Sequence, residues 1–393
     1  MRKFLTVLLA CTVCLSVFSQ TSDQGGMVAT WATAPELIDG TNMPASPLTG
    51  RSLRQVVHVS LGGDMLRLKL SNEFSSGPLE IKSVYIAEPE EGWRIVRKSE
   101  KYLKFNGRKN VVIPAGGVVW SDFLEYDLKP LQRLTITINY GAQTPEFATC
   151  HRGSRTTSYI IEGESKPSSD FSAAETIDHW YNICSIEVPA DKDQSCFVVL
   201  GDSITDGNGT TTNMQNRWTD FFAEEYGGTV GVLNLGIGAS CLTLSQSPAC
   251  GALRFDRDVL GQAGADHVIV YYGVNDIGES VGGYENVADA MIKCYESFIA
   301  KAHAAGMKIY IATITPFGKS FYYTHFHEAA RRVVNDWIRS CKDLDGVIDF
   351  DAAVRNPDNP ECMKDEYSKD YLHMNPSGYA FLGKFAHDYL ESR

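Results

Sequence analysis

Gly201-Asp202-Ser203-Ile204-Thr205 directly follows a short apolar run at 197–200, which puts a serine hydroxyl at the carboxyl end of a candidate strand. A serine hydroxyl is a weak nucleophile until a neighbouring base takes its proton. That base is normally a histidine oriented by a carboxylate. Asp370-Tyr371-Leu372-His373 supplies both within one turn, just ahead of a helical pattern at 376–390. Gly273-Val274-Asn275-Asp276 ends a second apolar run with a side-chain amide, a donor suited to a developing oxyanion. Asn234-Leu235-Gly236-Ile237-Gly238 ends a third, and its glycine-rich turn leaves a backbone N–H approachable. These segments predict acyl transfer with Ser203 as nucleophile, His373 as base and Asp370 holding the imidazole. The Ser203 N–H, the Gly238 turn and Asn275 are the expected oxyanion donors, and no cofactor is called for.

The elements that must position them alternate between strand and helix. From Ser195 onward, runs at 197–200, 230–235, 267–272, 308–313 and 346–350 read as short buried strands. Between them, Val287, Met291, Ile292, Tyr295, Phe298, Ile299 and Ala302 recur at helical spacing, and Gly306 follows as a stop. Such alternation implies a parallel sheet covered on both faces, with ligands at the carboxyl ends of its strands. Ahead of it, runs at 55–61, 65–71, 80–87, 110–113 and 134–140 alternate like strands, and Gly62-Gly63-Asp64 predicts a hairpin between the first two. The expectation is an all-β sandwich of jelly-roll type over 28–190 and an α/β domain over 195–393, joined through the polar Asp191-Lys192-Asp193-Gln194.

Residues 1–19 read as a signal peptide: Met1-Arg2-Lys3 precedes an apolar run at 4–18 too short for a stable span, so export is expected. The 393 residues are 44% hydrophobic and 21% charged, a globular composition. A net charge of −12 has the wrong sign for following a phosphate backbone, so no nucleic acid partner is expected. No later run is long and apolar enough for stable membrane insertion. Of ten cysteines, Cys11 and Cys14 fall in the leader; among the remaining eight, Cys241 and Cys250 are the preferred candidates for a disulfide. His325-x-His327 lacks zinc-peptidase spacing and reads as a pair of surface residues at a helix start. Arg254, Asp256, Arg257 and Asp258 read as a salt-bridged helix start, and Trp218 as a lining residue of the pocket beside Ser203. Trp93, Trp120 and Trp180 suit core packing better than sugar platforms. At Ser203 the last position of Gly-x-Ser-x-Gly is Thr205, and Walker A and Gly-x-Gly-x-x-Gly sequences are absent, which disfavours an α/β-hydrolase elbow and phosphate cradles.

The four segments around Ser203, the 234–238 turn, Asn275 and His373, in this order, resemble the SGNH or GDSL-type serine hydrolases. Asn216-Arg217-Trp218, the stretch from Ala252 through Leu260 and Gly273-Val274-Asn275-Asp276-Ile277-Gly278 are similar to a secreted subgroup related to xylan-deacetylating esterases. Ser52-Leu53-Arg54-Gln55, Ser60-Leu61-Gly62-Gly63-Asp64 and Leu70-Ser71-Asn72 are similar to that subgroup's leading β-domain. The resemblance implies a flavodoxin-like αβα hydrolase domain and a short-chain ester substrate, chiefly O-acetyl groups on a polysaccharide. The alternatives are a lipase or lysophospholipase of the same family, and a carbohydrate-binding protein with a vestigial hydrolase half. Aligned from Asn234, the family's Asn-x-Gly-x-x-Gly pattern places Ala239 at the oxyanion glycine, so Gly238 and Ala239 both stay candidates; an alanine serves there if its φ is negative.

Overall fold

The computed structural model describes residues 26–38, 40–191, 193–243 and 249–393; the expected leader lies outside them. Five parallel strands form the sheet of the second half: β1 (Cys196–Gly201), β2 (Gly231–Gly236), β3 (His267–Tyr271), β4 (Lys308–Ala312) and β5 (Gly346–Ile348). Their order is β2-β1-β3-β4-β5, the flavodoxin-like arrangement. Val198, Val199 and Leu200 of β1 and Val268, Ile269 and Val270 of β3 are all buried, as strands covered on both faces require. Right-handed crossovers put helix Trp218–Glu225, which joins β1 to β2, on the opposite face from Tyr284–Ala304 and His325–Ser340. The first packs against the last helix, Pro376–Glu391, and the other two pack on each other. Tyr284–Ala304 buries Met291, Tyr295, Phe298, Ile299 and Ala302 of the predicted stripe together with Ala288, while Val287 and Ile292 at its margins are only half-buried. Phe350, expected at a strand end, instead opens a short helix capped by Asp349, whose carboxylate accepts the Ala352 N–H.

The first half is antiparallel throughout. Arg51–His58 pairs with Arg133–Tyr140 and Ser158–Glu162 in a seven-stranded sheet. Gly63–Ser71 pairs with Ile183–Pro189, Val118–Trp120 and Leu124–Leu128 in another sheet. The expected hairpin across Gly62-Gly63-Asp64 is therefore not formed: its two strands belong to different sheets. Val59 and Ser60 are instead taken by Gln132 O and Thr30 O, which carries the chain across. Gly62 is glycine for closeness rather than for a tight turn, because a Cβ there would stand 2.6 Å from Leu128 O.

Polar bonds cross between the halves. Ser60 Oγ accepts the Val232 N–H at 3.0 Å, and His58 Nδ1 lies 3.0 Å from Asp220 Oδ1. Burial pushes Asp220 up, but Arg217 and His58 outweigh it and hold the carboxyl at about 2. Burial pushes His58 down, but its bond and charge interaction with Asp220 raise the imidazole above its usual 6.5. The raised imidazole contributes stability in full below 6.5 and loses it as pH climbs through the folded value; the depressed carboxyl contributes above its ordinary 3.8 and loses it as pH falls toward 2. His58→Leu should cost about 3 kcal/mol near pH 5 and visibly less near pH 9 in urea unfolding. An equal cost at both pH values would deny the ion pair.

Candidate active site

Ser203 opens a one-turn helix, Ser203–Asp206, at the carboxyl end of β1, beside the point where the strand order reverses. Asp202 caps that turn, its Oδ1 accepting the Ile204 N–H at 3.0 Å. Burial, with help from the nearby Asp276, pushes the Asp202 carboxyl up to about 7 against the pull of that bond. Ser203 is buried except for its mouth, and its Oγ lies 2.9 Å from His373 Nε2. His373 Nδ1 lies 2.8 Å from Asp370 Oδ2. Asp370 Oδ1 accepts the backbone N–H of Leu372 at 3.0 Å and of His373 at 2.8 Å, closing a turn in which Tyr371 has φ +58°. Partial burial raises Asp370, but the His373 bond and the two backbone donors prevail and hold it below the usual carboxylate range. An ionised Asp370 fixes the imidazole proton on Nδ1, which leaves the Nε2 lone pair facing the serine hydroxyl.

Asn275, in the turn after β3, donates from Nδ2 to Ser240 O at 2.9 Å and accepts from Tyr322 OH on Oδ1 at 3.2 Å. These partners fix the amide's orientation and leave one Nδ2 hydrogen available. In the turn after β2 the two candidates separate. The Gly238 N–H is committed to Asp206 Oδ2 at 3.0 Å, whereas the Ala239 N–H has no acceptor among the described residues. Ala239 has φ +59°, so the negative φ expected for an alanine there is not what the chain adopts. A non-glycine residue held in that region is a local strain of the kind found at functional turns. Ser203, as the first residue of its helix, has no intrahelical acceptor for its own N–H.

Asn208 is a site residue the sequence reading missed. Its Nδ2 lies 3.1 Å from His373 Nε2, and its backbone carbonyl accepts from Tyr379 OH at 2.5 Å. The available signal was local: Asn208 N–H bonds back to Ser203 O, so the amide stands two residues beyond the turn that carries the nucleophile. Asn208, Thr210, Thr211, Lys369 and His373 line an open cleft of about 660 Å³.

Other expectations are corrected. Trp218 does not face solvent beside Ser203: it is fully buried among Phe222, Tyr271 and Phe350, with Nε1 directed at Thr205 Oγ1, because the apolar ring fills the gap between helix and sheet. His327 is not a surface residue; it is buried with Nδ1 2.5 Å from Tyr322 O, and only His325 stays on the rim. The Cys241–Cys250 bridge is not formed, since the Cys241 thiol is turned to Glu279 Oε2 at 3.8 Å. Trp180 is buried against Trp31, in the core packing expected of it. Arg254 and Asp258 do pair, at 2.6 Å, though inside the protein rather than at its surface.

Residues 199–381 match the family model described as GDSL-like Lipase/Acylhydrolase. A search of curated proteins finds no match. Similar solved structures include a GDSL-like lipase from Bacteroides thetaiotaomicron, 21% identical over 52% of this chain and 91% of that one, TM-score 0.39. A carbohydrate acetylesterase from Sinorhizobium meliloti is 16% identical over 51% of this chain and 99% of that one, TM-score 0.40. A Corynascus thermopiles carbohydrate esterase family 2 enzyme with a carbohydrate binding domain is 13% identical, covering 91% of this chain and 99% of that one, TM-score 0.37.

Proposed function

We propose that this chain, whose residues 199–381 belong to the GDSL-like lipase/acylhydrolase family and make it a carboxylic ester hydrolase, is an exported serine esterase removing short acyl groups, chiefly O-acetyl, from a polysaccharide. The observation that carries the reading is the continuous chain from Ser203 Oγ through His373 to Asp370, at 2.9 and 2.8 Å. Ser203 Oγ attacks the acyl carbonyl while His373 Nε2 takes its proton. The carbonyl oxygen becomes an oxyanion held by the Ser203 and Ala239 N–H groups and Asn275 Nδ2. His373 returns the proton to the departing sugar hydroxyl, leaving an acyl-serine. Water, deprotonated by the same imidazole, then releases the carboxylic acid and restores Ser203. Export rests on the leader-like residues 1–19, and the division into domains at 28–190 and 195–393 belongs to the same reading. Among the described residues no helix is long and apolar enough to cross a membrane.

The cleft supports a sugar, because its amides, hydroxyls and one ammonium are partners for hydroxyl groups. A lipid ester is the second reading. It is favoured by Val281, Phe321 and Phe326, which are 99%, 75% and 61% exposed on the segments flanking Tyr322. Acyl chain length decides between them, since each buried methylene adds about 0.8 kcal/mol of binding. The kcat/KM of p-nitrophenyl esters should fall from acetyl to octanoyl, with acetate released from acetylated xylan. Rising values and no acetate release would instead assign the site to lipids. An inert pure protein that binds glycans would mark a vestigial hydrolase half.

A further inference from the structure

The turn that carries Ser203 is closed from behind by the antiparallel half. Asp206, its last residue, is buried, and its carboxylate is shared between two partners: the Gly238 N–H, 3.0 Å from Oδ2, and His151 Nε2, 3.1 Å from Oδ1. His151 ends the strand Ala148–His151 and is itself fixed, with Nδ1 3.0 Å from Ala34 O and its ring stacked on Trp180. Arg155 Nη2 approaches Oδ2 at 3.7 Å. Gly153, on the loop between them, is shaped to this carboxylate: a Cβ there would stand 2.0 Å from both oxygens. Its φ is not positive, so glycine supplies room here rather than conformational freedom. Burial raises the Asp206 carboxyl, but the charge and hydrogen bond of His151 prevail and lower it, so Gly238 N–H faces an anionic acceptor.

We propose that His151 and Gly153 are positioning residues which, through Asp206, hold the Gly238-Ala239 turn where the Ala239 N–H meets the oxyanion, so that the antiparallel half completes the catalytic centre. This rests on the esterase reading of Ser203 and its donors. The physical need is plain. Ala239 sits in an unfavoured conformation next to Gly238, and such a turn keeps one geometry only when something outside it fixes it. The Asp206 bond to Gly238 is that restraint, and His151 sets where the carboxylate stands.

The test uses the full chain with Gly153→Ala, His151→Leu and His151→Gln, reading kcat and KM for p-nitrophenyl acetate and the rate of Ser203 labelling by a fluorophosphonate, all per folded molecule by near-ultraviolet circular dichroism. The phosphonyl oxygen of the label occupies the oxyanion position, so its rate reports donor geometry apart from sugar binding. Gly153→Ala and His151→Leu should lower kcat and labelling about 10- to 100-fold with KM nearly unchanged. His151→Gln, which keeps an N–H for Asp206, should recover most of the loss. Wild-type kcat in folded Gly153→Ala, a change confined to KM, or His151→Gln no better than His151→Leu would overturn the proposal. If His151→Leu does not fold, Gly153→Ala and His151→Gln decide alone. Failure of the esterase reading looks different: Ser203→Ala would keep turnover with His151 and Gly153 intact.

Discussion

Ser203→Ala should reduce kcat on p-nitrophenyl acetate by about 10⁴-fold or more without lowering thermal stability. The substitution removes one oxygen from a partly open mouth, so it creates no buried cavity, and it leaves Asp370 and His373 in place. Without Oγ there is no acyl-enzyme. What remains is whatever water can do with the oxyanion donors and binding. Groups that act as a unit lose activity together, so adding His373→Ala to Ser203→Ala should cost little more. Residual turnover within tenfold of wild type, or a second large loss on removing His373, would remove Ser203 from the nucleophile's role.

Asn275→Ala is expected to lower kcat by about 10²- to 10³-fold while KM changes far less. The amide's free hydrogen gains most from its bond when the carbonyl oxygen carries full negative charge, so its loss is felt in the transition state. The same change strips Ser240 O and Tyr322 OH of a partner, and a stability loss of about 1–3 kcal/mol should accompany it. Steady-state kinetics below the shifted unfolding temperature separate the two effects. A change confined to KM would make Asn275 a ground-state binding residue.

What the sequence disclosed was whatever depends on neighbours in the chain. β1 through β5 and the long helix after β3 are legible because burial on both faces demands unbroken apolar runs and amphipathic spacing is local. Ser203, Asn275, Asp370 and His373 are legible for the same reason: each ends such a run or shares a turn with its partner. The choice of strand partners is not local. Two alternating runs joined by glycines looked like a hairpin, yet Arg51–His58 and Gly63–Ser71 find their partners at 133–140 and 183–189. Trp218 misled because an aromatic beside a catalytic loop has the same composition signal whether it faces a ligand or a core. His151 gave no signal at all, since its meaning arises only where it meets Asp206 from another sheet. The sign of φ at Ala239 was equally hidden, because only the packed turn imposes it.

The strand Met27–Ala32 has a further consequence for how the chain assembles. It pairs with Ile183–Pro189 along its length, and its Ala29 N–H reaches Ala263 O in the segment before β3. This strand, made early in synthesis, therefore finds its last backbone partner only when residue 263 has been made. Contacts so distant in sequence are slow to form, because the intervening loop must close before they reward it. Until then the strand presents unpaired edges, which favours binding to holdase chaperones or to other nascent chains.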